Sequence, residues 1–261
     1  MRFSRTAGVA VNQKKTEEEL SLALSLGVNY FDTAYLYPGS EAALGKFLSK
    51  GHRKDVFVAT KLPFRQCKKP EDFEKLFSEQ KERLQTDYID YYMVHMLGDI
   101  ASWKRLMSLG IVEWAESKKA SGEIRQFGFS YHGGTAEFKE LVDAYDWDFC
   151  QIQINYFDAH TQAGIAGMKY AAEKGLPVFV MEPLRGGALV NLLVPAVGTA
   201  GTYIIVFLLC IICFVLITGK SFIGAVKKES EKVYQTAKED VKRRRELAEA
   251  QREKETQEQE N

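Results

Sequence analysis

Four side chains of the kinds used in acid–base catalysis follow short apolar runs in the first hundred residues. Asp32, Lys61 and His95 each end such a run, and Tyr37 lies five residues after Asp32. A lysine ammonium beside a tyrosine hydroxyl stabilises the phenolate, and a carboxylate beside the lysine keeps the ammonium charged. A tyrosine in that setting can act as general acid when a carbonyl is reduced, while a histidine orients the carbonyl oxygen. The four residue types together indicate a carbonyl-reducing site.

Each of these residues also has an ordinary structural explanation when it is taken alone. An aspartate at the end of a strand is commonly a turn residue, and a histidine between apolar residues is commonly a buried core residue. The hypothesis therefore depends on whether the elements that carry the four side chains bring them together.

The runs that carry these residues are typical of strands in a parallel sheet. Six short segments are rich in β-branched and aromatic side chains, as expected for strands buried on both faces: residues 29–34, 56–61, 89–95, 124–130, 149–156 and 177–183. Helical patterns lie between them, and repeated β-α units favour helices packed outside a parallel sheet. Because a parallel barrel opens all its strand ends on one face, the four residues would converge there. We predict an α/β fold, an incomplete TIM (β/α)8 barrel of roughly six to seven strands.

Helix boundaries are predicted from capping signals. Thr16 followed by Glu19 has the spacing of a capping box, and Ser40 precedes the pattern "EAALGKFLSK" as its N-cap. The segment "WKRLMSLGIVEWAESKKASG", residues 103–122, is interpreted as one helix.

Several stretches resemble the aldo-keto reductase family, in the order in which that family has them. They are "YFDTAYLYPGSEAALGKFL", "VFVATKLP", "YIDYYMVH", "GEIRQFGFS" and "MEPLRGG". The resemblance covers about residues 1–190 and implies reversible hydride transfer between NADP(H) or NAD(H) and a small carbonyl substrate. It also implies that Tyr37 is the proton donor, that Lys61 and Asp32 tune it, and that His95 orients the carbonyl.

The resemblance implies a set of cofactor contacts as well. Ser130 and Gln151 match residues that hydrogen-bond the nicotinamide amide, and Met181 stands where the family often has an aromatic residue stacked on the ring. Leu184, in the same "MEPLRGG" motif, is included among the cofactor-binding residues. Tyr131 stands where many members have asparagine, so the contact that asparagine makes is missing from the pattern. No metal site is predicted.

The pattern departs from the family toward its end. The stretches "FSYHG", "DAYDWDFCQIQINY" and "MEPLRGGAL" are most similar to a bacterial branch that usually carries a C-terminal ferredoxin-like iron–sulfur module. The cysteine array of that module has no counterpart here, so no cluster is expected. The resemblance stops near Leu189, and the loop that clamps the adenosine phosphate in the family has no counterpart. We therefore expect an open barrel with exposed strand edges and weak NADP binding.

The composition changes twice after the barrel region, residues 1–190. No residue from Gly186 to Gly219 is charged, so residues 191–219 are predicted to be a transmembrane segment that contacts a lipid bilayer through residues 194–219. Residues 220–261 carry many opposite charges at i,i+4 spacing and predict a cytoplasmic helix that continues into a disordered tail.

A second resemblance covers residues of about 192–245. They are similar to the last membrane helix and linker of bacterial septal DNA translocases, without the Walker motif of a motor domain. Neither the net charge of zero nor the basic cluster at Lys242 to Arg245 indicates a clear nucleic-acid partner.

The two parts of the chain imply conflicting locations. Lysines after the apolar segment place the tail in the cytoplasm, so a single-pass span puts the reductase part outside, although NADPH is a cytoplasmic reductant. A hairpin from Leu189, an overridden orientation, or the joining of two unrelated genes near residues 187–195 would each resolve the conflict, and we favour the last. Two classes of function remain: an NAD(P)H-dependent reductase held at a membrane, and a non-catalytic membrane-anchored chimera or cell-division DNA-translocase membrane fragment.

Overall fold

The sheet that positions the predicted site belongs to the first of two units into which the chain divides, Met1–Gly186 and Gly187–Asn261. The computed structural model describes residues 1, 3–6, 10–188, 191, 193–195, 197, 198, 201 and 203–208. The predicted charged tail, residues 220–261, and the last part of the predicted membrane segment, residues 209–219, lie outside the described residues.

Six parallel strands form the sheet, and their order in the sheet is their order in the chain. They are β1 (Tyr30–Asp32), β2 (Phe57–Leu62), β3 (Ile89–Val94), β4 (Ile124–Tyr131), β5 (Phe149–Gln153) and β6 (Val178–Met181). Each strand pairs in parallel with the next one. All six predicted strands are therefore confirmed.

Contacts across the concave face show that this sheet is curled. The ring of Tyr30 in β1 stacks on the ring of Phe179 in β6, with 4.8 Å between the centroids. The side chain of Gln151 in β5 donates a hydrogen bond to Asp32 at the end of β1. Because β1 and β6 are at opposite ends of the strand order, such contacts require the sheet to bend back on itself. The structure is a parallel half-barrel with helices, consistent with the predicted incomplete TIM barrel.

Seven helices connect and cover the strands within the described part of this unit. They are α1 (Gln13–Ser25), α2 (Ser40–Leu48), α3 (Glu71–Leu84), α4 (Ile100–Ser108), α5 (Ile111–Ala120), α6 (Thr135–Val142) and α7 (Gly164–Glu173). Short 3-10 turns occur at His52–Asp55, Phe64–Gln66 and Arg185–Gly187. The main hydrophobic core lies between the strands and these helices, with large buried side chains such as Phe77, Trp103 and Phe129.

Two of the predicted helix caps are wrong. The first helix begins before Thr16, because the side chain of Asn12 accepts a hydrogen bond from the backbone of Lys15 and so supplies the cap. Thr16 lies inside α1 and is buried. Ser40 is the first residue of α2 and follows Gly39, which has a left-handed backbone with a φ of 75°. The hydroxyl of Ser40 is used in tertiary contacts instead, with the carbonyl of Met1 and the hydroxyl of Thr33.

The single helix predicted over residues 103–122 is two helices, α4 and α5. The chain turns at Gly110, which has a φ of 83°. Glycine reaches this left-handed conformation without the penalty that a β-carbon imposes, and it commonly ends helices for that reason. An apolar pattern that continues through the turn concealed the break from a reading of periodicity alone.

The second unit gives no support to the predicted membrane span within its described part. The described residues between 188 and 208 are helical. No helix among the described residues is both long enough and apolar enough to cross a bilayer. Much of the stretch predicted to contact lipid, residues 194–219, lies beyond the part of the chain that the structure describes.

Candidate active site

The four residues predicted to act on a carbonyl line one cavity at the carboxyl ends of the strands. Asp32 is the last residue of β1, Lys61 is near the end of β2, His95 follows β3, and Tyr37 lies in the loop after β1. All four line a cavity of about 820 Å³. Parallel pairing places these strand ends at one rim, as the sequence analysis expected.

Lys61 is the most deeply buried member of this group, with 3% of its side chain exposed. Its ammonium donates to a carboxylate oxygen of Asp32 and, over 2.9 Å, to the backbone carbonyl of Thr33. Burial lowers the pKa of Lys61, while the negative charge of Asp32 opposes that change. The pair therefore places an ammonium whose charge is balanced by Asp32 in the wall of the cavity.

Tyr37 lies close both to this ammonium and to His95. The Lys61 nitrogen is 5.6 Å from the centre of the Tyr37 ring. The rings of Tyr37 and His95 meet edge to face, with 5.8 Å between centroids and an angle of 85°. The backbone of His95 is held against β2, because its N–H donates to the carbonyl of Leu62 over 3.0 Å. A phenol, an ammonium, a carboxylate and an imidazole thus share one pocket.

Two of the four predicted cofactor residues also line the cavity, namely Gln151 and Met181. The amide nitrogen of Gln151 donates to the second carboxylate oxygen of Asp32. Its amide oxygen is buried and has no hydrogen-bond partner among the described residues. Gln151 therefore orients Asp32 with one end of its amide and presents an unsatisfied acceptor with the other.

The other two predicted cofactor residues are not among those that line this cavity. The hydroxyl of Ser130 is buried and accepts a hydrogen bond from the backbone N–H of Met96 over 2.9 Å. Leu184 is half-buried in the turn after β6. Beside Ser130, the hydroxyl of Tyr131 donates to the carbonyl of Gly134 over 2.6 Å and so closes its own loop. In this arrangement Ser130 fixes the loop after β3.

Several residues of the cavity wall were missed by the sequence analysis. Met96 and Glu182 line the cavity, and both have left-handed backbones, with φ of 54° and 56°. Such conformations cost free energy in residues with a β-carbon and often occur at functional sites. His132 also lines the cavity. All three closely follow the carboxyl ends of strands, so the rule that identified His95 would also have identified them. Arg5 lines the cavity from the N-terminal segment, where no sequence signal indicated it.

The profile of the Aldo/keto reductase family matches residues 1–193 of this chain. Among curated relatives, the uncharacterised oxidoreductase YrpG of Bacillus subtilis is 26% identical over 205 residues, which are 70% of this chain and 61% of the relative. Methylglyoxal reductase YeaE of Escherichia coli is 28% identical over 209 residues, covering 74% of this chain and 68% of the relative. The matched part of the chain thus spans about three fifths to two thirds of these relatives.

Solved structures agree with the family match. The holo form of an aldo-keto reductase from Bacillus halodurans superposes with a TM-score of 0.56 at 28% identity, covering 68% of this chain and 60% of that one. An aldo-keto reductase from Klebsiella pneumoniae in complex with NADPH gives a TM-score of 0.55 at 25% identity, covering 68% and 61%.

The family match ends at residue 193. Two more specific resemblances therefore stay predictions. One is the resemblance to the branch fused to an iron–sulfur module. The other is the resemblance of residues 192–245 to septal DNA translocases, which falls mostly outside the described residues. What the family profile, the curated relatives and the parallel half-barrel establish together is that this chain belongs to the aldo/keto reductase family.

Proposed function

We propose that this chain reduces a small carbonyl compound with NAD(P)H, and that Tyr37 donates the proton to the carbonyl oxygen. The observation that carries this proposal is the buried Lys61–Asp32 pair, which lies beside Tyr37 and His95 in one cavity. The side chain of Lys61 is 3% exposed and that of Asp32 is 20% exposed, and because desolvating such charges costs free energy, a cleft that holds them together is a candidate functional site. The family match supports the same reaction class.

Lys61 acts on the product of proton transfer. When Tyr37 gives up its proton, a phenolate remains beside an ammonium that is already in place and oriented by two acceptors, Asp32 and the Thr33 carbonyl. A fixed charge in a site of low polarity stabilises such an anion more than water would, because it needs no reorganisation during the reaction. Asp32 keeps the ammonium protonated, and Gln151 keeps Asp32 oriented.

His95 has the position of an orienting group. The imidazole ring stands almost perpendicular to the Tyr37 ring in an edge-to-face contact, with 5.8 Å between the two ring centroids. A carbonyl oxygen placed within reach of the Tyr37 hydroxyl and of an imidazole N–H of His95 would accept hydrogen bonds from both side chains. That geometry fixes the oxygen close to the proton donor, and such positioning is a large part of enzymatic rate enhancement.

The residues present fit a nicotinamide in part. The buried amide oxygen of Gln151, which has no hydrogen-bond partner in the part of the chain that the structure describes, is suited to the N–H donors of a carboxamide, and Met181 provides an apolar contact at the same cavity wall. The Ser130 hydroxyl accepts from the backbone N–H of Met96 over 2.9 Å and donates to the carbonyl of Val94 over 3.5 Å, so it would have to exchange the bond to Val94 in order to donate to a carboxamide. The nicotinamide, when bound, supplies the hydride. The Klebsiella pneumoniae neighbour, solved with NADPH, supports this choice of cofactor.

The substitution Tyr37→Phe tests the proposal. Oxidation of NADPH is followed by absorbance with methylglyoxal as the first carbonyl, since one relative carries that activity in its name. We expect kcat to fall by about 10²–10⁴, the usual contribution of a general acid, while nucleotide binding measured by fluorescence is unchanged.

Tyr35→Phe is the matched control. Tyr35 is two residues away, but its hydroxyl donates to Glu79, and it is not among the residues that line the cavity. This variant should keep kcat within about twofold of the parent. Equal turnover by the parent and Tyr37→Phe would remove Tyr37 from the mechanism. A panel of aldehydes and ketones that leaves NADPH unconsumed, although the nucleotide binds, would refute the proposed reaction.

A further inference from the structure

A buried carboxylate lies behind β2, on the side of the strand away from the cavity. Glu41 in α2 is 2% exposed. One of its carboxylate oxygens accepts from the hydroxyl of Thr60 over 2.6 Å and from the amide nitrogen of Gln80 over 2.7 Å. The other oxygen accepts from the guanidinium of Arg83 over 3.2 Å. A charge buried this deeply is costly unless it is paired, and here every partner comes from a different position on β2 or α3.

This cluster is bonded directly to the backbone of Lys61. Gln80 is fully buried, and its amide nitrogen also donates to the carbonyl oxygen of Lys61 over 3.1 Å. The amide oxygen of Gln80 accepts from the hydroxyl of Tyr92 in β3 over 2.7 Å. Thr60 and Lys61 are neighbours in β2, so their side chains point to opposite faces of the sheet. The cluster therefore holds the outer face of the strand whose inner face presents the ammonium.

We propose that Glu41 is a positioning residue that acts through Thr60 and Gln80 to hold the charge and the place of the Lys61 ammonium from the outer side of β2. This inference rests on the proposed function, because Lys61 matters for turnover only if Tyr37 is the proton donor. Glu41 does not line the cavity. Its effect is transmitted by the strand and by its negative charge.

The charged groups around Lys61 and Glu41 determine whether Glu41 raises or lowers the pKa of Lys61. On the cavity side, Lys61 is bonded to Asp32 and lies beside Tyr37, and the Tyr37 ring contacts that of His95. The negative charge of Glu41 adds to that of Asp32 in raising the pKa of Lys61, against the effect of burial. Arg83 is the cation that faces Glu41 on its own side.

Burial raises the pKa of the Glu41 carboxyl, and the hydrogen bonds from Thr60 and Gln80 oppose that rise. Above that raised pKa Glu41 is ionised, and together with Asp32 it stabilises the same ammonium from two faces of one strand. Removing the charge of Glu41 should allow Lys61 to lose its proton at a lower pH.

The substitution Glu41→Gln removes the charge while retaining an oxygen that can accept from Thr60 and Gln80. We expect the basic limb of the pH profile of kcat for carbonyl reduction to move down by about half a pH unit or more. KM for the carbonyl should stay within about twofold, since Glu41 does not line the cavity. A purely structural role would lower stability and leave the limb in place.

Glu79→Gln is the matched control. Glu79 lies on α3, accepts from Arg83 over 3.2 Å and from the hydroxyl of Tyr35 over 2.9 Å, and makes no hydrogen bond to β2 within the described part of the chain. It removes the same charge beside the same guanidinium, so its pH profile should follow that of the parent. A downward shift of equal size in Glu79→Gln would overturn the proposal, because the effect would then be general electrostatics of this surface.

A direct readout separates this inference from the proposed function. Lysine side chains labelled with ¹³C at Cε are titrated by NMR, and the Lys61 resonance is assigned by its loss in Lys61→Met. The midpoint of Lys61 should fall in Glu41→Gln and stay unchanged in Glu79→Gln. An unchanged midpoint in Glu41→Gln would overturn the proposal. If the parent reduces no carbonyl, the proposed function fails, and this titration still decides whether Glu41 acts on Lys61.

The pair Thr60→Val and Thr60→Ser keeps the test decisive if Glu41→Gln does not fold. Thr60→Val removes the hydroxyl that donates to Glu41 at nearly constant volume, and Thr60→Ser retains it. We expect Thr60→Val to displace the Lys61 titration and Thr60→Ser to restore it. Parent-like titration in Thr60→Val would exclude transmission through Thr60.

Discussion

Replacing Lys61 by methionine isolates the contribution of the buried ammonium. Methionine is similar in length and apolar, so it fills the same space and removes the charge that faces Tyr37. The ammonium nitrogen is 5.6 Å from the centre of the Tyr37 ring. With an effective dielectric constant of about 20, a unit charge at that separation stabilises a phenolate by about 3 kcal/mol. That free energy corresponds to roughly a hundredfold in rate.

The assay is steady-state NADPH oxidation with a carbonyl substrate for the parent, Lys61→Met and Lys50→Met. Lys50 is a suitable control because it also forms an ion pair, with Glu17, but its side chain is 56% exposed and lies outside the cavity. We expect kcat to fall by about two orders of magnitude in Lys61→Met and by less than twofold in Lys50→Met. Urea unfolding of each variant verifies that the loss comes from the site and not from a reduced folded fraction.

The reasoning would be refuted by a Lys61→Met enzyme that retains at least half of the parent kcat while Tyr37→Phe is inactive. In that case the ammonium would serve only to neutralise Asp32, and its distance from Tyr37 would carry no catalytic meaning. A loss much larger than a hundredfold would indicate that the variant also displaces Asp32 or Tyr37, which the hydrogen bond between Gln151 and Asp32 is expected to prevent.

Three further predictions concern the half-barrel that supports the site. The ammonium groups of Lys118 and of a second lysine hold the pKa of Glu123 down to about 2. The contribution of Glu123 to stability is therefore present above pH 4.5 and is lost as the pH falls toward 2. In urea unfolding, Glu123→Gln should lower the free energy of unfolding by about 1–2 kcal/mol at pH 7 and leave it unchanged near pH 2. Asp90 is 2% exposed and accepts from two guanidinium groups, so Asp90→Asn should lower the free energy of unfolding by about 3–5 kcal/mol, and a loss below 1 kcal/mol would contradict its role. Gly128→Ala places a methyl group against the carbonyl and ring of Phe149 in the next strand, so its melting temperature should fall by an amount equivalent to about 1–3 kcal/mol, and an unchanged value would show that β4 and β5 can separate at no cost.

The strands were predictable from sequence because their pattern is local and strong. Segments that are apolar on both faces are typical of buried parallel strands, and all six were found at the expected places. The convergence of Asp32, Lys61 and His95 also followed, since parallel strands present their carboxyl ends at one rim. Helix starts were less predictable. Asn12 and Thr16 are both acceptable caps, and only the packing of α1 selects between them.

The hydrogen-bond partners of the polar side chains in the site were harder to predict from the sequence. The nicotinamide contacts expected of Ser130 and Gln151 stay predictions, while the structure shows contacts that were not expected: the Ser130 hydroxyl binds the loop after β3 and the Gln151 amide binds Asp32. A serine or glutamine can bond to many partners of equal chemistry, so its identity does not fix its contact. Glu41 has a signal in the sequence, because it lies on the same helical face as Leu44 and Leu48, and a charge on an apolar face indicates a buried polar contact.

The sequence by itself determined the family, the parallel strands and the four ionisable residues, because these depend on local apolar patterns and on residue types at fixed positions. Only the tertiary structure decided that Gln151, which is 119 residues from Asp32, orients it, and that Glu41 reaches β2 from behind. Contacts of that kind depend on how far the sheet curls and on which helix packs on which strand. Those quantities result from the packing of the whole core and are not encoded in any single stretch of the chain.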